Sequence, residues 1–192
     1  DPNFPNATVI EETALFPASD PTDRATPVLS PDGKQMAFTI NRRDIAVMDM
    51  DSKKVRKLTK GNIGNERDGM LDYSWSPDGK WLVAVVDMHR RSPYYDIALI
   101  NVADGSITNI TNTAYMNQSP RWVMGGDAIL FLSNRYGMRS HASWGSQYDV
   151  LLAFTNQAAY DRYRLSPEDF ELQKELKASR AKSAAKKDSK KD

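Results

Sequence analysis

Two copies of one turn constrain this chain more than anything else in it. Ser30-Pro31-Asp32-Gly33-Lys34 returns as Ser76-Pro77-Asp78-Gly79-Lys80, 46 residues later. Proline presets φ for a turn, aspartate bonds to nearby backbone, and glycine takes the φ > 0 position. A turn repeated at a fixed long period marks a repeat architecture, in which each unit is one supersecondary structure. The rest of the unit repeats too. Trp75 before the second copy is matched by Trp122, 47 residues on, where Val123-Met124-Gly125-Gly126-Asp127 replaces the turn. After each turn comes a β-rich run: 36–40, 81–86 and 128–132. A second run opens on aspartate each time, at Asp44, Asp96 and Asp149. A third run closes on Leu58-Thr59 and Ile110-Thr111, 14 residues from its aspartate to its closing apolar residue in both copies.

Each unit reads as four short antiparallel strands. The first hairpin is the Ser-Pro-Asp-Gly turn; the last is Asp51-Ser52-Lys53-Lys54 or Ala103-Asp104-Gly105-Ser106. The middle strands are apolar on nearly every residue, which suits strands covered on both faces. Four strands in a unit of this length, with a tryptophan and a turn signature, predict a β-propeller blade. A β-sandwich would space its strands regularly without this period. The fold class is therefore all-β: a partial β-propeller of four-stranded antiparallel blades with a C-terminal helix and a disordered basic tail. The units span 25–60, 71–113 and 117–160 within a propeller region 25–165. Residues 1–24 are a lead-in, or the outer strands of a preceding blade. A closed propeller needs roughly four blades or more, so the missing partner is expected to be the rest of the same polypeptide.

From turn to aspartate the interval grows from 12 to 18 to 24 residues across the three units. The third unit loses its closing strand: where Leu-Thr is due, the chain reads Gln157-Ala158-Ala159-Tyr160. A helix then starts at 166, with Ser166 as N-cap, Pro167 at N1, Glu168 and Asp169 in the first turn, and Leu165 stapled to Phe170. It is expected over 166–178, followed by a Lys-rich linker or tail over 179–192. From Lys174 onward there are eight Lys/Arg and three Asp/Glu, whereas the rest holds 18 basic and 22 acidic groups. The basic cluster Lys182, Lys186, Lys187, Lys190 and Lys191 lies among Ala, Ser and Asp with no aromatic for base stacking. It reads as a solvated terminus, and no nucleic-acid partner is expected. With no cysteine in the chain, disulfides, thiolate metal sites and cysteine nucleophiles are excluded. No apolar run approaches a membrane span.

The Ser-Pro-Asp-Gly-Lys turn, the aliphatic strand after it and the Asp96-Ile97-Ala98-Leu99-Ile100 strand resemble the propeller repeat of TolB-like proteins and tricorn-type proteases. Phe131-Leu132-Ser133-Asn134-Arg135, Ser143-Trp144-Gly145-Ser146-Gln147-Tyr148-Asp149-Val150 and Leu165-Ser166-Pro167-Glu168-Asp169-Phe170 are similar to the large tricorn-like serine peptidases of Bacteroidetes-type bacteria. That resemblance implies a non-catalytic propeller segment acting in peptide access or domain assembly, with the catalytic serine in a separate domain. A peptide or protein substrate is the implied partner, and a periplasmic or other extracytoplasmic setting the implied location, with a cytoplasmic one as the alternative. Two other roles stay open: a TolB-like protein-binding propeller, and the propeller of a dipeptidyl or prolyl oligopeptidase-type exopeptidase.

No residue is assigned to catalysis, no metal site is read and no cofactor is expected. No nucleophile elbow, phosphate loop or zinc-protease motif occurs. His141, Ser143 and Asp149 have the residue types of a triad, but they sit close together in one hairpin with neither elbow nor oxyanion hole. His89, Arg90 and Arg91 fall in the hairpin loop of the second unit and read as solvated. Asp32, Asp78, Asp44 and Asp96 recur because turns and strand starts use aspartate. Trp75, Trp81, Trp122 and Trp144 read as blade-to-blade core. The binding candidates are Asp72 and Arg121, polar residues on the innermost strands of the second and third units, facing either the central channel or each other.

Overall fold

The computed structural model describes residues 12–61, 63–64, 71–139 and 145–188. Among these residues eleven strands form three antiparallel sheets, one for each unit. The first sheet is β1 (Arg24–Leu29), β2 (Gln35–Ile40), β3 (Asp44–Asp49) and β4 (Val55–Lys57), in that order. The second repeats it with β5 (Tyr73–Trp75), β6 (Trp81–Val86), β7 (Asp96–Asn101) and β8 (Ile107–Asn109). The third has three strands, β9 (Asn117–Val123), β10 (Ala128–Ser133) and β11 (Asp149–Phe154), with β10 in the middle. Residues 12–23 of the lead-in contain turns but no strand. Phe16 of this stretch packs edge-on against Phe38, 5.6 Å between ring centroids, on the outer face of the first sheet.

The repeated turn forms one hydrogen-bond network twice. The Gly33 N–H closes on the Ser30 carbonyl at 2.9 Å, and Gly79 on Ser76 at 2.9 Å. Ser30 Oγ donates to the Asp32 carboxylate at 2.6 Å and accepts from the Gln35 N–H at 2.9 Å. Ser76 does the same with Asp78 at 2.6 Å and Trp81 at 3.0 Å. Gly33 and Gly79 sit at φ 71° and 69°, a conformation open to glycine without a Cβ clash.

The sheets stack face to face in chain order. Leu82, Ala84 and Val86 of β6 pack toward Ala37, Ile45 and Val47 of the first sheet. Val83 and Val85, pointing the other way, pack toward Ile129 and Phe131 of the third. Alternate residues of one strand thus enter two different cores, so β6 is apolar at every position. Side chains also tie sheet to sheet. The Trp75 indole N–H donates to the Val28 carbonyl at 3.0 Å, and the Tyr73 hydroxyl donates to the Thr26 carbonyl.

After β11 the chain enters α1 (Gln157–Tyr163), capped by Asn156 Oδ1, which accepts from the Ala159 N–H at 2.8 Å. Helix α1 stands where the sequence repeat called for a closing strand. The expected cap of the next helix forms as Ser166 Oγ accepts from the Asp169 N–H at 3.1 Å. That helix, α2, runs Pro167–Asp188, ten residues beyond the expected end at 178. The residues taken for a linker, Ser179 to Asp188, are rich in Ala and Lys, good helix formers that need no buried face to continue an existing helix. Among the described residues, no helix is long and apolar enough to cross a membrane.

Candidate functional site

The first strands of all three sheets, β1, β5 and β9, converge on one cleft. Thr26, Val28, Leu71, Asp72, Gln118 and Arg121 line it with Tyr73, Val85, Tyr95 and Ser119, around a volume of about 430 Å³. This is where a propeller places its axis, since first strands are innermost.

Two of the three strands slip in register beside the cleft. The β1 pairing slips between Ala25 and Val28, and the β9 pairing slips opposite Leu130 and Leu132. At each slip a non-glycine residue with positive φ precedes a proline: Thr26 (51°) before Pro27 and Ser119 (54°) before Pro120. Such bulges bend a strand and re-aim its side chains. Blade two holds both: Tyr73 donates to the Thr26 carbonyl, and Ser74 Oγ donates to the Pro120 carbonyl at 3.4 Å. Proline inside a strand is the sequence signal for such bulges.

The structure brings the two candidate binding residues together. Arg121 Nη1 lies 2.9 Å from Asp72 Oδ1, joining blades two and three at the cleft mouth. Arg121 also donates to the Pro120 carbonyl at 2.7 Å. The pair is half exposed, with Arg121 at 51% and Asp72 at 40%. Both groups are therefore open to solvent and to exchange partners, and such a pair contributes little to stability. Val28, Leu71 and Val85 form apolar walls, with the rings of Tyr73 and Tyr95 and one accessible ion pair.

The other singled-out residues fall elsewhere. His141, Ser143 and Trp144 lie outside the described residues. Asp149 opens β11 with an exposed side chain. His89 Nε2 contacts Asn112 Oδ1 at 3.3 Å and stays half exposed. Asp32 and Asp78 serve their turns, and the serine hydroxyl in each turn, with the Lys34 or Lys80 N–H, holds their carboxyls below the usual range. Asp44 and Asp96 are buried clasps. Asp44 accepts from Thr59 Oγ1 at 2.7 Å, from the Gly61 N–H and from Lys57 Nζ at 2.6 Å. Burial pushes the Asp44 carboxyl up, but these three donors together outweigh it and hold it below its ordinary value. Asp96 accepts from Thr111 Oγ1 at 2.7 Å, Asn109 Nδ2 at 2.8 Å and the Thr113 N–H at 2.9 Å. Among the described residues, no three His, Asp or Glu side chains are grouped to hold a metal ion.

Trp75 is core. Trp122 packs against the core between blades two and three, and with Trp81 it lines a second cleft of about 430 Å³ beside Pro77 and Gly126. The buried Trp122 indole nitrogen has no hydrogen-bond partner there.

No protein-family model matches the chain. An uncharacterized protein of Agrobacterium fabrum is 36% identical over 107 residues, covering 54% of this chain and 34% of that protein. A tricorn protease homolog of Saccharolobus solfataricus is 27% identical over 108 residues, covering 56% of this chain and 10% of that protein. Among solved structures, a TolB protein from Agrobacterium tumefaciens matches with a TM-score of 0.50 at 24% identity, covering 72% of this chain and 47% of that one. The tricorn protease matches with a TM-score of 0.54 at 12% identity, covering 69% of this chain and 14% of that one. The chain thus corresponds to about a third of the first of these curated relatives and about a tenth of the second. The fold is that of a β-propeller, and the region is tricorn-like and TolB-like.

Proposed function

We propose that this tricorn-like propeller region handles extended peptides without cutting them, holding or guiding them along the inner cleft for peptidase domains elsewhere in a longer polypeptide. The observation that carries the reading is the convergence of three first strands on one apolar cleft with the Asp72–Arg121 pair at its mouth. An ion pair this exposed can trade its internal partner for a peptide carboxylate or ammonium at small cost. Apolar walls accept side chains of varied shape, so a cleft of this kind selects for extended backbone more than for sequence. An extracytoplasmic setting belongs to the same reading.

The test is binding of a fluorescent unfolded peptide, such as a casein fragment, to the pure chain. The expected result is saturable binding without cleavage, weakened about fivefold by Arg121→Ala, on the order of 1 kcal/mol for a half-exposed charge. Binding indifferent to Arg121→Ala and Asp72→Ala, or hydrolysis that Ser143→Ala abolishes, would contradict it.

A further inference from the structure

Among the described residues the third blade has no fourth strand, and the two complete blades show what belongs there. In the first blade, β4 pairs with β3 as Ala46↔Lys57, Val47↔Arg56 and Met48↔Val55. In the second, β8 pairs with β7 as Ala98↔Asn109, Leu99↔Thr108 and Ile100↔Ile107. Just past each short strand one arrangement recurs. The Leu58 N–H donates to the Ile45 carbonyl at 2.8 Å, and the Ile110 N–H to the Ile97 carbonyl at 2.9 Å. Thr59 Oγ1 accepts from the Ile45 N–H at 3.0 Å, and Thr111 Oγ1 from the Ile97 N–H at 3.0 Å. Each hydroxyl then donates to the aspartate that opens the strand, Asp44 or Asp96, at 2.7 Å.

The equivalent strand of the third blade is β11. Asp149 stands opposite Ser133 as Asp44 stands opposite Ile40 and Asp96 opposite Val86. Val150 and Leu152 are therefore the counterparts of Ile45 and Val47. Yet among the described residues β11 is the end strand of its sheet and pairs only with β10. Asp44 and Asp96 are 4% and 2% exposed, whereas Asp149 is exposed and Val150 is 62% exposed. The chain's own continuation does not fill the place. Helix α1 is fixed at the end of β11 by the Arg162–Asp127 ion pair and by Tyr160 and Tyr163, whose rings lie 5.4 and 5.1 Å from that of Phe154.

We propose that the outer edge of β11 is a docking site for an extended peptide, which adds as the fourth strand of the third blade and places a threonine hydroxyl on Asp149. The two internal strands define the ligand. Val55-Arg56-Lys57-Leu58-Thr59 and Ile107-Thr108-Asn109-Ile110-Thr111 share a β-branched residue, two variable residues, Leu or Ile, and Thr. Backbone bonds to an open edge supply affinity, and the alternate side chains supply selectivity. The Leu or Ile has a place to go. Leu58 packs in the core that holds Ile45 and Val47, and Ile110 packs beside Ile97 and Leu99. A docked Leu or Ile falls in the same way beside Val150 and Leu152. Asp149 supplies the end stop: a carboxylate with no hydrogen-bond partner among the described residues, aligned with two that take a threonine hydroxyl and an N–H two residues further on. The site is separate from the inner cleft and does not depend on it.

The experiment uses the full chain and a synthetic peptide with the sequence of residues 105–113, which is uncharged in its side chains apart from its termini. Binding is read by fluorescence anisotropy, and amide hydrogen exchange is followed at Val150 and Leu152. The expected result is saturable binding with slowed exchange at both amides. Asp149→Asn, a surface change that leaves the fold intact, should weaken it about tenfold, and so should valine in place of the peptide threonine corresponding to Thr111, since hydrogen bonds to a charged group are the stronger kind. The two changes together should cost little more than either alone, and Arg121→Ala should leave this binding unchanged. No saturable binding at millimolar peptide would overturn the proposal. So would equal binding of a scrambled peptide, indifference to Asp149→Asn, or a concentration-dependent dimer that occupies the edge with a second copy.

Discussion

At the scale of single residues, the repeat gives aspartate two tasks with one chemistry. In the turns, Asp32 and Asp78 collect a serine hydroxyl and a lysine N–H. At the strand starts, Asp44 and Asp96 close their blades on threonine. The carboxyls of Asp32, Asp78 and Asp44 are all held below the ordinary value of 3.8. The unfolded chain then binds more protons than the folded one just below that value. The stability these groups contribute is present above about pH 4 and is lost as pH falls through their folded values. Tyr73 bounds the other side. Burial pushes its phenol up to about 12. Its contribution is full below the ordinary phenol value of 10 and is lost as pH rises from 10 to about 12. Urea unfolding across pH should therefore show a plateau with an acid limb and an alkaline limb. Ser76→Ala should shrink the acid limb. Tyr73→Phe should remove much of the alkaline limb and lower stability at neutral pH by about 1 kcal/mol. An alkaline limb unchanged in Tyr73→Phe would show that the phenol is not the group responsible.

At the scale of elements, most of the architecture was legible because the repeat prints each blade twice. The Ser-Pro-Asp-Gly turns, the unbroken apolar run of β6 and the aspartates opening β3, β7 and β11 all fall where their spacing put them. What stayed hidden was non-local. Asp44 and Asp96 were legible as strand starts, but not as clasps, because their threonines are 15 residues away, just past a neighbouring strand. The bulges at Thr26-Pro27 and Ser119-Pro120 were missed although the two prolines hold the same place in their units, because the second unit has Tyr73 there and pairs without a slip. The pairing of Asp72 with Arg121 spans 49 residues and depends on how two blades stack. Helix α1 was not foreseen, although the loss of the closing strand was. Gly105 illustrates the same dependence on stacking. It turns the β7–β8 hairpin at φ 74°, and a Cβ there would run into the Leu58 carbonyl of the first blade. Gly105→Ala should therefore cost about 2 kcal/mol or more, combining an unfavourable φ with a clash against backbone. Gly33→Ala, with the same sign of φ but open space around it, should cost only the conformational part, about 1 kcal/mol. Equal losses in the two variants, measured by denaturant midpoints, would mean that the hairpin does not press against its neighbour.

At the scale of the whole molecule, the described residues form three sheets stacked in a row, with two buried interfaces and two outer faces. The first outer face, Met36, Phe38, Ala46 and Met48, has Phe16 against it. On the last, Val150 is largely exposed and Leu130, Leu132 and Leu152 are only partly covered. In blade two, the matching residues Val83, Val85, Ile97 and Leu99 are packed against a following blade. Apolar sheet faces and strand edges of this kind are interaction surfaces, and the relatives matched are longer than this chain. The central claim is that these blades belong to a larger propeller and are stabilised by neighbours that complete it. The most direct measurement is thermal unfolding with light scattering, on the 192-residue chain and on a longer polypeptide that adds further blades. A partner that binds only the folded state raises its apparent stability. The account predicts self-association of the shorter chain and a melting temperature several degrees higher in the longer one. A monodisperse monomer of the shorter chain, melting cooperatively at the same temperature as the longer one, would contradict it.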